Sequence, residues 1–154
     1  MGNYDNSSKP NTIELKLRDL PFEKELFLAS GKTILPGQVL EFASATTVQP
    51  QSTKHKIPQP KMVAIEFAID GRDINSQYAI AGETVVYNIF QPGEEFYGWL
   101  AAGQNVSAGD LLDVDNAGNL IAAGAYTSGE FCRALQTVNN STGGAAVRIE
   151  VEVL

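Results

Sequence analysis

The sequence predicts an all-β fold, a compact β-barrel or β-sandwich of short, mostly antiparallel strands. Short apolar segments recur at intervals near ten residues and are separated by Gly and Pro turn signals. No stretch keeps a 3.6-residue period for more than two turns, so long helices are not expected. In addition, a turn–strand–turn–strand unit occurs twice, at residues 28–42 and again 72 residues later at 100–114.

The two copies of this unit align without a gap. Gly31 and Gly37 align with Gly103 and Gly109, and the apolar residues that follow the second glycine also coincide. Such self-similarity is typical of a domain built from two related halves. We therefore predict a two-fold internal repeat.

The chain begins with a segment that we predict to be an extended N-terminal arm, residues 1–12. It is polar and has no hydrophobic periodicity. From Ile13 to Arg18, apolar and charged residues then alternate, which predicts a half-buried strand. The pattern of residues 22–28 fits either a short helical turn or a strand.

A change of composition marks residues 43–61, which are rich in Ser, Thr, Gln and Pro. We predict a long polar surface loop there, because this composition packs a core poorly and long loops in compact domains are often functional. Lys54, His55 and Lys56 make it the most basic part of an acidic chain.

The rest of the chain contains further alternating or apolar segments bounded by turn residues. The hairpin loop at residues 115–119 carries Gly118 at a position suited to a left-handed conformation. We predict strands at residues 62–69, 78–80, 84–90, 131–138 and 147–153.

Length and composition indicate one β domain, residues 13–154, and exclude several classes of function. The chain has 154 residues, 44% of them hydrophobic, and a formal net charge of −7. Phosphate backbones and anionic membrane surfaces would repel such a chain, so we predict neither nucleic acid nor membrane as a partner. No apolar run approaches the ~18 residues that a membrane-spanning helix needs, and the polar N-terminus does not resemble a secretory signal.

Catalytic chemistry is not indicated, and no cofactor is predicted. The single histidine, His55, is expected to be an exposed loop residue rather than part of a nucleophilic triad. The single cysteine, Cys132, lies in an alternating segment and is expected to be a small half-buried residue rather than a reactive thiol. The sequence therefore predicts a protein that is not an enzyme.

One segment partly matches a calcium-binding loop. Asp113, Asp115 and Gly118 occupy the positions of a D-x-D-x-x-G pattern, but Ala117 stands at the fifth position and Gly124 at the twelfth, where a bidentate Glu is required. The segment fits a plain hairpin turn better. No metal site is therefore predicted.

An aromatic cluster stands just before the second repeat unit. Strand alternation puts Tyr97 and Trp99 on one face and Phe96 on the other. Packing in the core is the default interpretation, but both faces of a strand are buried only where something covers each of them. Because exposed Tyr and Trp are typical of interfaces and sugar platforms, we predict that Phe96, Tyr97 and Trp99 form a subunit interface.

The second half of the chain resembles the head decoration proteins of tailed bacteriophages, also called capsid cement proteins. The resemblance covers residues 95–154 well, and in the first half it is carried mainly by the repeat unit at 31–40. The motifs concerned are Trp99–Gly103, Val106–Leu112, the hairpin Asp115–Leu120, Glu130–Leu135 and the terminal strand Val147–Val151. The polar segment at 43–60 is longer than this family pattern would suggest.

This resemblance implies a small β-rich module that binds the outside of an expanded capsid, commonly as a trimer, and clamps neighbouring capsid subunits against the pressure of the DNA. It implies the major capsid protein as partner, a homotrimer, and a place on the virion exterior after a soluble stage in the host cytoplasm. It also implies an arm that adds to a sheet of a neighbour or of the capsid protein. The arm residues expected to bind the capsid are Tyr4, Asp5, Lys9, Pro10 and Asn11.

Other hypotheses remain open at this stage. The arm is equally compatible with a frayed terminus. A carbohydrate- or receptor-binding module on the virion surface, with Tyr97 and Trp99 as its platform, is the main alternative function. An enzyme would require a cleft in which Asp110, Asp113 and Asp115 gather around a metal.

Overall fold

The structure is a computed structural model, which describes residues 9–18, 22–56, 60–124 and 130–154. In these ranges regular structure is almost entirely β, with one short 3₁₀ turn at Ala68–Asp70. The strands are β1 (Glu14–Lys16), β2 (Phe22–Leu28), β3 (Val39–Phe42), β4 (Thr47–Pro50), β5 (Met62–Ala64), β6 (Thr84–Ile89), β7 (Glu95–Leu100), β8 (Asn105–Val106), β9 (Leu111–Val114), β10 (Leu120–Ala122), β11 (Cys132–Ala134), β12 (Val138–Asn139) and β13 (Val147–Val153). The all-β prediction is confirmed.

Five strands from the first half close into a barrel in the order β2-β4-β3-β5-β6, which we call the first barrel. Its β2 is the segment for which the sequence allowed either a helical turn or a strand. It forms a strand because it pairs antiparallel with β6 from Phe22 to Phe27. The interior is filled by buried apolar side chains, among them Leu28, Leu40 and Tyr78.

The second half repeats this architecture. Strands β7, β10, β9, β11 and β13 follow one another in a sheet that closes on itself because β7 pairs with both β10 and β13. We call this the second barrel. Strand β1 is added to the free edge of β7, with Glu14 opposite Phe96.

The predicted two-fold repeat is confirmed residue by residue. Each pairing of the first barrel has a counterpart in the second, including the single parallel pair in each: Leu28 lies opposite Val48, and Leu100 lies opposite Leu120. The outer turns match as well, since the Gly37 N–H donates to the Ala64 carbonyl just as the Gly109 N–H donates to the Ala134 carbonyl. The backbone hydrogen bonds therefore show which residue of the first barrel corresponds to which residue of the second. The equivalent strands are β2 with β7, β3 with β9, β4 with β10, β5 with β11, and β6 with β13.

The described part of the segment at 43–61, which leaves out residues 57–59, differs from the predicted polar loop. Strand β4 lies inside this segment and Val48 is fully buried in the first barrel. One apolar side chain between polar neighbours is enough for a strand of four residues whose other face is solvated. The repeat explains the strand, because Val48 occupies the position that Leu120 has in β10.

Three other predicted strands are shorter than expected. The segment at 131–138 is divided into β11 (Cys132–Ala134) and β12 (Val138–Asn139), with bends and no strand at residues 135–137. The segment at 62–69 pairs only from Met62 to Ala64, after which the chain enters the 3₁₀ turn and leaves Ile69 exposed to solvent. Gly71, in the left-handed conformation, ends that turn. Of residues 78–80, only Tyr78 pairs, through an isolated bridge to Ile34.

The two barrels pack against each other through one large apolar core. Val39, Val63, Val86 and Phe90 lie on the outer face of the first barrel and belong to the same buried cluster as the interior of the second. A barrel strand alternates inward and outward side chains, so these strands are buried on both faces. The first barrel thus contributes its outer wall to the core of the second.

Candidate functional site

The described part of the predicted arm lies in a groove between the two halves of the chain. Lys9, Pro10 and Asn11 line a cavity of about 390 Å³ together with Asp73, Ile74, Asn75, Tyr97 and Arg148. The other two predicted arm residues, Tyr4 and Asp5, lie outside the described residues. The structure therefore brings three of the predicted capsid-binding residues next to Tyr97, which the sequence assigned to a different site.

The arm enters this groove along β7. The Tyr97 N–H donates to the Ile13 carbonyl over 2.8 Å, and the Ile13 N–H donates to a Glu66 carboxylate oxygen over 3.1 Å. The Ile13 side chain is fully buried in the shared core. These contacts anchor the base of the arm, so that anything N-terminal to it starts from a defined place on the surface.

Arg148 organises the floor of the groove and was missed by the sequence analysis, which counted it only as a polar residue of an alternating strand. Its guanidinium donates to the carbonyls of Pro36 (2.7 Å), Tyr97 (3.1 Å) and Ile74 (2.5 Å). It also lies 3.9 Å from the Trp99 ring centroid, within cation–π range. Burial lowers the pKa of Arg148 to about 10. Only the pairing of β7 with β13, which places Arg148 opposite Trp99, reveals this role, and the local sequence carries no signal for it.

The residues predicted as a subunit interface make contacts within this chain. Phe96 is fully buried and packs against Phe90 and Phe131, with ring centroids 5.1 Å and 6.1 Å away. Tyr97 is buried beside the arm, and the half-buried Trp99 donates its indole N–H to the Pro36 carbonyl over 2.9 Å. A contact between these residues and another subunit stays a prediction.

The structure corrects the expectation for His55. The residue is only partly exposed, it adopts a positive φ of 61°, and its Nδ1 is hydrogen-bonded to Asp113, which is fully buried in the second barrel. Its backbone N–H donates to the Val114 carbonyl over 3.0 Å. His55 therefore joins the polar segment at 43–61 to the second barrel, a long-range contact that the local composition could not reveal.

Asp113 and Asp115, which partly matched a calcium loop, and Asp110, which the metal-cleft alternative added to them, each have their own hydrogen-bond partners. Asp110 accepts from the Ser107 N–H, Asp113 binds His55, and Asp115 accepts from the N–H groups of Ala117 and Asn119. Asp110 and Asp115 thus each cap their own turn, whereas Asp113 makes the long-range contact to His55. Across the described residues, no group of three or more His, Cys, Asp and Glu is placed to hold a metal ion.

An acidic pocket of about 260 Å³ lies where β1 meets the first barrel. Glu14, Glu23 and Glu66 come close together there, and the Asn88 side chain donates to Glu14 over 3.0 Å. Burial, followed by the charges of Glu23 and Glu66, raises the pKa of Glu14 to about 7. Folding therefore favours the protonated form of this carboxyl.

The single thiol is not placed for chemistry. Cys132 is fully buried in β11, and burial raises the pKa of its thiol far above the physiological range. A thiol that is neither ionised nor accessible reacts poorly. Within the described ranges, no helix is long and apolar enough to span a membrane.

Comparison with known proteins finds a similar fold among solved structures. No protein-family model matches the chain, and no curated protein matches it. Among solved structures, the fold is similar to the crystal structure of the head fiber gp8.5 N base in bacteriophage phi29. The TM-score is 0.56 at 10% sequence identity, and the match covers 86% of this chain and 95% of that chain. At this identity the similarity shows a shared fold that spans both barrels.

Proposed function

We propose that this chain is a structural protein of a tailed-phage head that attaches to the outer surface of the capsid. The observation that carries the proposal is the similarity in fold to a phage head fiber base. This similarity covers 86% of this chain and 95% of that chain. The sequence resemblance to head decoration proteins supports the same place in the virion independently of that comparison. A fold alone does not determine function, so the proposal also depends on the surface residues of this chain.

In its finer form, the proposal is that three copies bind the major capsid protein and stabilise the shell across capsid-subunit seams. The groove beside Arg148 supports a role for the arm, because Lys9, Pro10 and Asn11 leave the barrel at a defined position. A bound protein stabilises the shell by mass action, to an extent set by its affinity and concentration. This role requires no catalytic group.

A carbohydrate-binding function is less well supported by the geometry. A sugar platform needs an open aromatic face. The Trp99 ring is covered by the Arg148 guanidinium, and Tyr97 is buried beside the arm. The two rings assigned to that platform are thus engaged within the chain.

Binding to capsids tests the proposal directly. The chain is mixed with expanded heads and with unexpanded proheads of the phage that encodes it, and bound protein is measured by co-sedimentation. We expect saturable binding to expanded heads and slower release of DNA when the coated heads are warmed. An absence of binding to either particle would contradict the proposed function.

The role of the arm is tested by deleting residues 1–11 and by the charge reversal Lys9→Glu. Both changes should weaken binding to heads, while the barrels remain folded by circular dichroism. Lys32→Glu is the matched control, because Lys32 is an exposed turn residue of the first barrel and carries the same charge. Unchanged affinity of the deletion variant would assign the arm a role outside capsid binding.

A further inference from the structure

The exposed apolar residues of this chain follow the internal repeat. Of the large hydrophobic side chains that the structure describes as exposed, four stand at positions whose counterparts are covered at the contact between the two barrels. Phe27 (52% exposed) is equivalent to Trp99, and Phe42 (48%) is equivalent to the fully buried Val114. The other two are Leu111 (40%), equivalent to Val39, and Leu154 (36%), equivalent to Phe90.

These four residues fall on two complementary surfaces. Within the chain, the second barrel contacts the first half at Trp99, which donates to the Pro36 carbonyl, and at Val114, whose carbonyl accepts from the His55 N–H. Val114 also belongs to the same buried cluster as the outer wall of the first barrel, which carries Val39 and Phe90. The first barrel repeats the first of these surfaces with Phe27 and Phe42. The second barrel repeats the outer wall with Leu111 and Leu154. Each half of the internal contact is therefore present a second time and is exposed there.

A cleft on the second barrel supports the same arrangement. Within the chain, the hairpin tip at Gly118 fits against Val39 and Pro50 of the first barrel, where the Val39 N–H donates to the Gly118 carbonyl over 2.9 Å. The equivalent place on the second barrel is a concavity of about 500 Å³. It is lined by Gly109, Asp110, Leu111, Ala122, Ala123, Gly124 and Glu130.

The side chains in this cleft match a larger hairpin tip. The counterpart of Gly118 is Thr46, in a hairpin of the same length: the Ala43 N–H donates to the Thr47 carbonyl as the Asp115 N–H donates to the Asn119 carbonyl. A threonine could not approach as closely as Gly118 does. The cleft has Ala122 where the first barrel has Pro50, and this smaller residue makes room for the tip.

We infer that copies of this chain associate head to tail, with the first barrel of one copy bound to the second barrel of the next. The hairpin at residues 43–47 enters the cleft beside Ala122, and Phe27 and Phe42 cover Leu111 and Leu154. The occupant of each exposed surface is a second copy, because the complementary shape is found on the same chain. A head-to-tail contact whose rotation closes forms a ring. The number of copies rests on the proposed function: with the three copies proposed there, this contact would close a ring of six barrels.

Two single-cysteine substitutions test this contact. An ideal Cβ on Gly118 lies 3.2 Å from the Pro50 Cβ, near the ~3.8 Å typical of a disulfide. Thr46→Cys and Ala122→Cys are the equivalent pair between copies, and Cys132 does not compete because it is buried. We expect a disulfide-linked dimer only when the two variants are mixed. Self-linking of Thr46→Cys alone would overturn the inference, and so would a mixture that stays monomeric.

A second measurement uses truncations of the exposed residues. Phe27→Ala and Leu111→Ala should each weaken self-association in sedimentation by about tenfold. Ile69→Ala and Ile80→Ala are matched controls, because both residues are exposed and neither lies on the proposed contact. Equal effects of all four changes would overturn the inference. The result is independent of capsid binding, since self-association and binding to heads are measured separately.

Discussion

The two barrels share their strand pairings but differ in what covers their ends. In the second barrel, Phe96 and Phe131 meet at one end and are closed over by Phe90 from the first barrel. The equivalent positions in the first barrel carry Lys24 and Lys61. The same arrangement of strands therefore carries an aromatic cluster of Phe96 and Phe131 where another part of the chain covers it. It carries the lysines Lys24 and Lys61 at the equivalent positions of the first barrel.

The outer walls differ in the same sense. The wall formed by β3, β5 and β6 of the first barrel is apolar and buried, whereas its counterpart on β9, β11 and β13 carries the exposed ion pair Arg133–Glu152 over 2.9 Å. Backbone hydrogen bonds hold both walls equally well. The strand pairing is therefore common to both barrels, and the side chains differ. One wall is covered within the chain, while the other, which also carries Leu111 and Leu154, is exposed in the single chain.

The largest expected difference in the free energy of unfolding concerns the aromatic cluster of Phe96 and Phe131. Phe96→Ala should lower the free energy of unfolding by about 3–5 kcal/mol, because it opens a cavity in the shared core. Lys24→Ala, at the equivalent exposed position, should change it by less than about 0.5 kcal/mol. Urea unfolding of both variants measures the difference. Similar losses would show that the two ends are equally important for folding.

The second largest expected loss of stability concerns Gly118, at the tip of the hairpin at residues 115–119. Gly118 has a φ of 79°, and an added Cβ would lie 2.6 Å from the Val39 carbonyl oxygen, so Gly118→Ala should cost about 3 kcal/mol through strain and loss of the barrel contact. Gly103 has the same φ with open space around it, and Gly103→Ala should cost about 1 kcal/mol. Thermal unfolding compares the two. An equal cost would mean that backbone strain alone matters at Gly118.

The third prediction compares Arg148, which is partly buried at the groove, with Arg133, which is exposed on the same barrel. Arg148→Ala should cost about 2 kcal/mol, because three carbonyls lose a charged donor. Arg133→Ala, which removes a solvent-exposed ion pair of the same barrel, should cost less than about 0.5 kcal/mol. The Trp99 fluorescence should also change in the first variant only. An unchanged spectrum would contradict the stacking of the guanidinium on the indole.

The smallest effect depends on pH. The pKa of Glu14 is about 7 in the folded chain and 4.5 as an unperturbed group, so folding favours its protonated form. Its contribution is fully present below pH 4.5 and is lost as the pH rises through 7. Glu14→Gln should therefore stabilise the chain by about 1 kcal/mol at pH 8 and by less at pH 4. Parallel stability curves for the two proteins from pH 4 to 8 would contradict this.

Much of the fold was predictable from local sequence patterns. The alternation at 147–153 and the turn signals at Gly37, Gly109 and Gly118 correspond to a strand and to turns of the structure. The repeat unit at residues 28–42 and 100–114 appeared in the sequence with its register intact. Residues such as Val48 were missed, because a single apolar residue among polar ones is too weak a local signal for a strand.

The candidate site was only partly predictable. Lys9, Pro10 and Asn11 do line a groove, but their partners Ile74 and Arg148 come from distant parts of the chain. His55 was interpreted from its polar neighbours, and its partner Asp113 lies 58 residues further along. Contacts at such separation leave no periodic trace in either segment.

The sequence by itself determined the strand-rich class, the internal repeat and the turn positions, because period-2 alternation and left-handed glycines act over a few residues. Only the tertiary structure decided which outward faces are covered. Val39 is buried and its counterpart Leu111 is exposed, although both follow a glycine turn and begin equivalent strands. The physical reason is that burial of an outward face depends on what another part of the chain, or another copy, places against it.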